Sequence, residues 1–479
     1  MSFAVSQLKV ISQKDLYRVH EASIKILEET GVIFESEEAR EILKKHGARV
    51  SGKVVRIPES LVEKAIASCP KSFTQHGRNP SQSILLGTMQ KQLAVSTQNG
   101  SVYVQDLDKG RRRGTLEEYK KITKLCQESK VVKVVGGIPA EPIDVEPGER
   151  HLKLMYTLLK HTDKPLLGVN GSSKEIREMF DMIEIAMGQK DYLLDHPMIA
   201  VAVDPTSPLR YDSEPCETMI AYAKHGQPIY INSCSLAGAT GPISLLGTTT
   251  LMNAEILAGL TLIQLINPGN PFVYVSGSTV ADMKTANFIT GSPEGYLIVI
   301  AGLQMALDLY CIPSRAMAAT TDAKIPDCQA GFETMQNLFM CLLAGVHFIN
   351  CSLGCLDAIM TTSYEKFVID EEMINRVVRV TRGISSFDND TFVDVIQDVG
   401  HSGCYLTHPS TFKHFRERWQ PTVSYWNTYE KWVEAGSEDV VVRANRRFKE
   451  MLDDSPETMI DKELENDLLH YMKKVKQYV

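Results

Sequence analysis

The densest group of residues able to do chemistry lies in one segment, AATTDAKIPDCQAGFETM, at positions 318–335. The segment follows a predicted strand and leads into a predicted helix. Carboxylates and amides in such a loop can orient a substrate or move a proton, so Asp322, Gln329 and Glu333 are candidate catalytic residues. Asp327 has a simpler explanation, because an aspartate at that position caps the following helix.

His347 lies near the start of another predicted strand, Val346–Ser352, and is the fourth candidate catalytic residue. A single histidine in an apolar strand is also explained as a core residue with its hydrogen bonds satisfied. Alternation along the strand places Phe348 and Asn350 on the face opposite to His347.

Two groups of residues resemble metal ligands. Cys351 with Cys355, and His401 with Cys404 and His408, supply donors that zinc accepts. Structural zinc sites usually contain two paired ligand spacings, and neither group has two. We therefore assign no metal, and we keep a zinc-dependent barrel enzyme as an alternative function.

A glycine-rich segment, GATGPISLLGT at 238–248, precedes a predicted helix. Backbone N–H groups at the start of a helix attract anions, so Gly238 and Gly241 are candidates for binding a cofactor phosphate. Ser276 and Glu294 are the other two candidate cofactor-binding residues. The alternative for the glycine-rich segment is a loop in which the glycines only form a tight turn.

The elements that must position these residues form a β/α repeat. Seven predicted strands start 31 to 43 residues apart, with helical patterns between them. The predicted strands are Val131–Ile138, Pro165–Asn170, Met198–Asp204, Ile229–Cys234, Phe272–Gly277, Pro313–Ala318 and Val346–Ser352. The repeat favours an α/β fold, a TIM-type (β/α)8 barrel whose eighth strand is not obvious, over an open doubly wound sheet. Dinucleotide and P-loop glycine motifs are absent from the sequence, which weakens the open-sheet alternative.

Small polar residues end several of these strands, among them Asp204, Asn232, Ser276 and Asn350. Parallel α/β sheets bind their ligands at the carboxyl ends of the strands, so we expect the chemistry at this edge. Outside the repeat, residues 1–114 predict helices and a small β meander that cap the barrel at 115–369. Residues 370–479 predict a helical C-terminal extension packed on the barrel.

Composition excludes several classes of protein. The 479 residues carry 51 Lys+Arg against 59 Asp+Glu, a net charge of −8, which argues against a nucleic-acid binder. The amino terminus lacks a signal-peptide pattern, and the apolar stretch 295–312 contains Gln304 and Asp308, so we expect a buried helix rather than a membrane span. Ten scattered cysteines suggest free thiols and a cytoplasmic protein.

Several strings resemble the trimethylamine methyltransferase superfamily (MttB-like), in order along nearly the whole chain. They are QDLDKGRRRGTLEEY at 105–119, GATGPISLLGT at 238–248, NAEILAGL at 253–260, GSPEG at 291–295, TTDAKIPDCQAGFE at 320–333 and GHSGCYLTHPSTFKHFRERWQP at 400–421. Members that act on trimethylamine carry a pyrrolysine, expected in or near 318–335, where this chain has only ordinary residues. The chain therefore resembles the members associated with quaternary amines such as glycine betaine, proline betaine or carnitine.

The resemblance implies a TIM-type barrel that moves a methyl group from a quaternary amine to the Co(I) of a corrinoid. The corrinoid is carried by a separate partner protein, and no cofactor is bound permanently. Departure of a neutral tertiary amine needs no general acid, so the protein must mainly orient the methyl group and exclude water. A homo-oligomer is expected, and a non-catalytic betaine-binding protein is a further alternative.

A quaternary ammonium cannot donate a hydrogen bond and is usually held by aromatic faces. The candidate rings are Tyr103, Phe332, Phe348, Tyr364 and Trp426. A betaine also has a carboxylate, for which Arg315, Lys324, Gln329, His347 or the 238–248 amides are candidates. We therefore expect a hollow lined by aromatic rings at the mouth of the barrel.

Overall fold

The computed structural model describes residues 7–89, 92–384 and 392–476. Its centre is a sheet of eight parallel strands. They are β1 (Ala94–Val95), β2 (Val135–Gly136), β3 (Leu166–Leu167), β4 (Ile199–Val203), β5 (Ile229–Ser233), β6 (Phe272–Ser276), β7 (Ser314–Met317) and β8 (Phe348–Asn350). The N–H groups of Lys133 and Val134 donate to Val95 O at 2.8 and 3.2 Å and join the two ends of the sheet. The predicted TIM-type barrel is confirmed.

Each strand is followed by a helix. The eight helices are α1 (Leu116–Glu128), α2 (Pro147–His161), α3 (Ser173–Met187), α4 (Ser213–Lys224), α5 (Leu245–Ile266), α6 (Pro293–Gln304), α7 (Cys328–Leu343) and α8 (Tyr364–Thr381). Polar caps define many of their starts. Ser172 and Glu175 form a capping box at α3, and the Asp327 side chain accepts the Ala330 N–H at α7, as predicted. A π-helical turn, Met305–Tyr310, continues α6.

The eighth strand that was not obvious in the sequence is β1. It contains only two residues, which is too short for an alternating pattern, and it lies where a cap meander was expected. It pairs with β8 in parallel, Phe348 with Ala94 and Ile349 with Val95. The barrel thus begins before residue 115, and α8 continues past residue 369.

A hairpin closes the amino-terminal end of the barrel. Its strands, Ser72–Gln75 and Ile84–Gly87, pair antiparallel, and Phe73 and Leu86 pack into the barrel interior. The Gln75 side chain donates to Leu166 O at 2.8 Å and accepts the Tyr230 hydroxyl at 2.8 Å. Among the described residues, the cavity that could admit a ligand opens at the opposite end, which we call the mouth.

The remaining N-terminal elements cover one side of the barrel. Helices lie at Gln13–Lys25, Glu37–Lys45 and Glu59–Ser68, with a π-helical turn at Ile26–Thr30 and a short helix at Pro80–Gln82. Strands Val32–Phe34, Arg49–Ser51 and Val54–Arg56 form a sheet with Arg210–Tyr211. The predicted helices of this region are confirmed.

Two small sheets hold the loops at the mouth. One joins Tyr103–Asp106 and Gly110–Arg113 to Cys355–Leu356 and Thr361–Ser363 of the β8–α8 loop. The other joins Leu236–Ala237, Thr279–Ala281 and Phe288–Ile289 of the β5–α5 and β6–α6 loops. Hydrogen bonds between these strands connect the loops to one another around the mouth.

Two apolar helices need explanation. α5 is long and apolar enough to cross a membrane, but 83% of its most apolar window is buried in the protein, where it contacts Gln13–Lys25 and Glu59–Ser68. The predicted helix at 295–312 corresponds to α6 and its π-helical continuation, and its Gln304 side chain accepts the N–H groups of Val10 and Ile11. Both are core helices.

The C-terminal extension is tied to α8. Its helices are Phe392–Val399, Pro409–His414, Tyr429–Glu434, Val440–Asp454 and Lys462–Lys476, and shorter turns lie at Tyr405–Thr407 and Phe415–Glu417. Val440–Asp454 packs along α8, and Phe448 stacks on Tyr364 with ring centres 5.1 Å apart. A last short helix, Tyr192–Leu194, precedes β4.

Candidate active site

A cavity of about 860 Å³ opens at the carboxyl ends of the barrel strands. Its floor consists of strand side chains, and its walls are the loops after β6, β7 and β8. The main lining residues are Ala202, Asp204, Asn232, Cys234, Phe288, Ile289, Arg315, Met317, Asp322, Lys324, Asn350, Cys351 and Asp357 to Met360. The chemistry is therefore at the edge that the strand pattern predicts.

Arg315 forms the floor of this cavity and is 1% exposed. Its guanidinium lies 5.3 and 5.2 Å from the ring centres of Tyr230 and Phe348, which fill the barrel below it. Nε and Nη1 are buried and have no hydrogen-bond partner among the described residues. Burial lowers the pKa of Arg315, yet a guanidinium stays charged in proteins. A buried cation with unused donors is costly, so this site suits an anionic group.

Asp204 supplies a negative charge in the same cavity. It follows β4 and accepts a hydrogen bond from the Asn232 amide. Asp204 is exposed within the cavity, and partial loss of water around it raises its pKa, while Asn232 and the positive charge of Arg315 oppose that rise. The cavity therefore contains one buried cation and one carboxylate, an arrangement that matches a zwitterion.

Two amide oxygens in the cavity are also unused. Asn232 Oδ1 and Asn350 Oδ1 are buried without a hydrogen-bond partner among the residues described. Their amide N–H groups point to sulfur, Asn232 to Cys234 at 3.1 Å and Asn350 to Cys351 at 3.4 Å. The partial negative charge on these two amide oxygens can attract a cationic group, even one that has no N–H to donate.

The 318–335 segment is held by its own acids. The Asp322 carboxylate accepts the N–H groups of Thr290 at 3.1 Å and Gly291 at 2.8 Å. Glu333 accepts the Asp322 N–H at 2.8 Å and the Gln329 amide at 2.9 Å. Burial raises the pKa of Asp322, and these N–H bonds counter the rise. Asp322 lines the cavity and fastens its loop to the β6–α6 loop, whereas Glu333 holds the loop against the first turns of α7.

The rim after β8 is strained. Asp357, Ala358 and Ile359 have φ of 55°, 47° and 81°, a left-handed conformation that a β-branched residue such as Ile359 rarely adopts. The Ile359 carbonyl accepts the Ser101 hydroxyl at 2.8 Å, and Asp357 pairs with Lys324 at 2.6 Å. Strain of this kind persists only where the surroundings enforce it, and it concentrates at functional sites.

A second cavity of about 380 Å³ adjoins the first and shares Asn99, Ala202 and Asp204 with it. His151 lines it, with Nε2 lying 2.6 Å from Glu178 Oε2. The two cavities together extend the mouth from the β7–β8 side to the β2–β4 side.

The structure does not place His347, a predicted catalytic residue, among the residues that line the cavity. His347 immediately precedes β8, at the amino-terminal end of the barrel, where the Ser314 N–H lies 3.2 Å from its Nδ1. Burial lowers the pKa of His347 to about 4. The strand direction therefore places it at the end of the barrel opposite to the cavity.

None of the five rings predicted to form an aromatic cage lines the cavity. Phe348 is in the barrel core under Arg315, and Tyr364 is buried with its hydroxyl on Glu118. Tyr103 is covered by the Arg111 guanidinium at 3.6 Å. Phe332 and Trp426 are each 61% exposed on helices or loops outside the cavity. Among the lining residues the single aromatic ring is Phe288.

The four candidate cofactor-binding residues have structural roles. The amides of Ala239, Thr240 and Gly241 all donate to Leu236 O, and the Gly238 amide donates to Gly241 O, so the glycine-rich segment is a tight turn. Ser276 donates to Val299 O at 2.9 Å inside the barrel wall. Glu294 accepts the Ser292 hydroxyl at 2.7 Å on the surface. These hydrogen bonds favour the alternative in which the glycines form a tight turn.

Of the predicted site residues, the structure brings Asp322, Arg315 and Lys324 into one cavity, with Gln329 and Glu333 behind its wall. The sequence analysis named Asp204, Asn232 and Asn350 only as polar residues at the ends of predicted strands. Their place at the carboxyl ends of the strands was the sequence feature that indicated a site there. Phe288 gave no such signal, because the hairpin that carries it is formed by tertiary pairing with Thr279–Ala281.

Within residues 7–89, 92–384 and 392–476, no cluster of three or more His, Cys, Asp or Glu side chains is placed to hold a metal ion. All ten cysteines are unpaired, and Cys404 is exposed in the C-terminal extension.

The sequence is similar to known proteins along nearly its whole length. The family model for trimethylamine methyltransferase (MTTB) matches residues 2–479. A glycine betaine methyltransferase of Desulfitobacterium hafniense (strain Y51) is 35% identical over 469 residues, covering 98% of this chain and 97% of that protein. A proline betaine:corrinoid methyltransferase of Eubacterium limosum is 33% identical over 86% of each chain.

A solved structure supports the fold. The monomethylamine methyltransferase of Methanosarcina barkeri aligns with a TM-score of 0.50 and 12% identity, covering 93% of this chain and 88% of that one. At this identity the similarity concerns the fold alone, and it agrees with the barrel described above.

Proposed function

The chain belongs to the trimethylamine methyltransferase (MTTB) family, and we propose that it takes a methyl group from a quaternary amine bearing a carboxylate. The acceptor is the Co(I) corrinoid of a partner protein. The observation that carries the choice of substrate is the buried Arg315 with its unused donors on the cavity floor. Two relatives, named for glycine betaine and proline betaine, support the same class of substrate.

In this proposal the substrate's carboxylate binds Arg315. A guanidinium presents paired N–H groups that match a carboxylate, and its charge is compensated on binding. The ammonium end then faces Asp204 and the free amide oxygens of Asn232 and Asn350. Oxygen atoms replace the aromatic cage expected from the sequence, and they attract the polarised methyl C–H groups.

In this reaction the protein does not need to transfer a proton to the leaving group. When the C–N bond breaks, the electron pair stays on nitrogen and a neutral tertiary amine leaves, so no general acid is needed. The positive charge on nitrogen disappears in the transition state, so a stronger ionic hold at Asp204 would oppose the reaction. Anchoring through the distant carboxylate avoids that penalty and aims the methyl group at the mouth.

The corrinoid, when its partner protein docks, supplies a nucleophilic cobalt that accepts the methyl group. The mouth can receive the corrinoid of a partner protein, because the volume of its cavity is larger than one small amine needs. Its rim also exposes apolar side chains. These are Ile243, Met283, Ile325 and Met360, which are 67, 68, 54 and 42% exposed. An apolar rim around a polar cavity is typical of a docking surface for another protein.

Methyl transfer with the reduced corrinoid protein tests this function. Glycine betaine, proline betaine and carnitine are offered separately, and the tertiary amine product is measured by mass spectrometry with the cobalt absorbance. We expect one of these to lose a single methyl group only when both proteins are present. If none of them methylates cobalt, the proposal fails.

The alternatives are not favoured, since each relative reported above is a methyltransferase by name. Ten unpaired cysteines support a cytoplasmic location, where thiols stay reduced. Calorimetry decides between an enzyme and a binding protein, because binding of a betaine without turnover would indicate the latter.

A further inference from the structure

The second cavity, of about 380 Å³, has no part in the reaction described above. It is lined by residues of the loops after β2, β3 and β4, and it meets the first cavity at Asn99, Ala202 and Asp204. Its other polar lining residues are Arg150, His151, Asn170, Glu175 and Glu214. The second cavity therefore borders the place where the ammonium group of the substrate lies in the proposed function.

One buried nitrogen in the second cavity lacks a partner. His151, on α2, is 5% exposed, and its Nδ1 has no hydrogen-bond partner among the described residues. Its Nε2 lies 2.6 Å from Oε2 of Glu178, which does not line the cavity. Because a carboxylate only accepts hydrogen bonds, Nε2 carries the hydrogen, and Nδ1 of the neutral ring is an acceptor. The edge of the ring that carries Nδ1 lies beside Glu175, which does line the cavity.

His151 Nδ1 and Glu175 Oε1 are two acceptors with no donor between them among the described residues. They are 3.8 Å apart, which is too far for a hydrogen bond. Glu175 Oε2 accepts the N–H and the hydroxyl of Ser172, both at 2.8 Å. Burial alone would raise the pKa of Glu175, but these hydrogen bonds from Ser172 lower it, so Glu175 is a carboxylate at neutral pH. A ligand that carries an N–H can donate to this pair of acceptors.

The second cavity also has more negative than positive charge. Three carboxylates line it, those of Glu175, Glu214 and Asp204. Arg150 supplies the opposite charge and is already paired with Glu141. Its Nε is buried and has no partner among the described residues. The cavity therefore favours a molecule with a cationic N–H group, and it retains one donor for a carboxylate.

Loss of a methyl group creates the N–H that these acceptors lack. A quaternary ammonium has no N–H to donate. The tertiary amine that leaves is basic, so at neutral pH its nitrogen lone pair accepts one proton from water, and the buffer takes up the hydroxide. A betaine is thus a zwitterion without an N–H, whereas its demethylated product is a zwitterion with one.

We propose that the second cavity binds the protonated tertiary amine after methyl transfer. Its N–H donates to His151 Nδ1 and Glu175, and its carboxylate lies at Arg150 Nε. The product then moves sideways past Asp204, so it does not have to cross the position of the methylated cobalt. This inference rests on the proposed function.

Titration calorimetry of the protein without its corrinoid partner tests the second site. N,N-dimethylglycine is the tertiary amine and glycine betaine is the quaternary one. In protein saturated with glycine betaine, we expect one molecule of dimethylglycine to bind per chain, with a Kd that does not rise with the betaine concentration. If another betaine proves to be the substrate, that betaine and its own demethylated amine replace this pair.

Two variants locate the bound product. His151→Phe keeps a ring and removes the acceptor, so it should weaken dimethylglycine binding roughly tenfold relative to glycine betaine binding. Glu214→Gln removes one charge from an exposed residue in the first turn of α4 and should weaken dimethylglycine binding by a smaller factor. The matched control is Glu37→Gln, because Glu37 is exposed in the first turn of another helix and lines neither cavity.

Two results would overturn the proposal. A dimethylglycine Kd that rises in proportion to the betaine concentration would show that both amines compete for the first cavity. A wild-type dimethylglycine Kd in His151→Phe would show that Nδ1 is not its acceptor. If His151→Phe does not fold, Glu214→Gln decides, and an affinity equal to that of Glu37→Gln refutes the site. Failure of the proposed function looks different, because then no betaine methylates cobalt.

Discussion

The floor of the cavity and the 318–335 loop are both rich in polar side chains, but the two regions use them differently. In the loop, the carboxylates of Asp322 and Glu333 accept several backbone and side-chain N–H groups. On the floor, Arg315 and the oxygens of Asn232 and Asn350 are buried without partners among the described residues.

The difference separates residues that hold the structure from residues that hold a ligand. A satisfied carboxylate contributes to folding and gains little from a substrate, whereas an unsatisfied buried group costs free energy until a ligand arrives. The sequence analysis selected the 318–335 loop because it contains many polar residues. A sequence shows residue types, but it does not show which of them already have hydrogen-bond partners within the protein.

The largest expected effect is at the floor. Arg315→Met should lower kcat/KM for a carboxylated quaternary amine by roughly 100-fold, since one charge-assisted anchor contributes about 1.5–3 kcal/mol. Steady-state methyl transfer with the reduced corrinoid protein measures this. Lys324→Met is the matched control, because Lys324 lines the same cavity but is already paired with Asp357 at 2.6 Å. If both variants lost the same fraction of kcat/KM, the unpartnered floor residue would be no more important for the substrate than the paired loop residue.

Asp204→Asn should weaken binding of the amine roughly tenfold by removing one charge near the ammonium. Calorimetric titration of the amine measures the change. Asp282→Asn serves as control, because Asp282 lines the cavity but accepts the Lys284 N–H and the Thr285 hydroxyl within its own loop. Tighter binding by Asp204→Asn would place the ammonium elsewhere.

Glu333→Ala should act on stability rather than on choice of substrate. It leaves the Asp322 N–H without its acceptor, so the free energy of unfolding should fall by about 1–3 kcal/mol, as measured by urea denaturation. The ratio of affinities for betaine and choline should stay as in the wild type. A changed ratio at unchanged stability would make Glu333 a ligand-binding residue.

His161, an unpartnered buried residue that does not line the cavity, should affect the free energy of unfolding but not amine binding. His161 is buried, its Nδ1 has no partner among the described residues, and burial lowers its pKa to about 4. The unfolded chain takes up this proton near pH 6.5 and the folded chain does not, so the stability present above pH 6.5 is lost as the pH falls towards 4. The loss is up to about 3 kcal/mol.

His161→Leu should remove that part of the pH dependence without changing amine affinity. Urea denaturation of both proteins at pH 7 and pH 4.5 measures it, and the other titrating groups cancel in the difference. An identical fall in stability for both proteins would show that His161 is already protonated when folded.

Much of the fold was predictable because the β/α period repeats over seven strands. Two-residue β1 was not, since its pairing with β8 and β2 is tertiary. Arg315 was predicted from its residue type on a strand and lines the cavity, whereas His347 precedes β8 and therefore lies at the opposite end of the barrel. The positions of the Tyr103 and Trp426 rings could not be predicted, because which distant segments meet at the cavity depends on the three-dimensional fold.

The central claim is that Arg315 selects a carboxylate on the amine. Titration calorimetry of the wild-type protein with glycine betaine and with choline tests it directly, since both carry the same trimethylammonium group and only one is a carboxylate. We predict that glycine betaine binds at least about tenfold more tightly, and that Arg315→Met abolishes the difference. Choline binding as tightly as glycine betaine to the wild type would contradict the account.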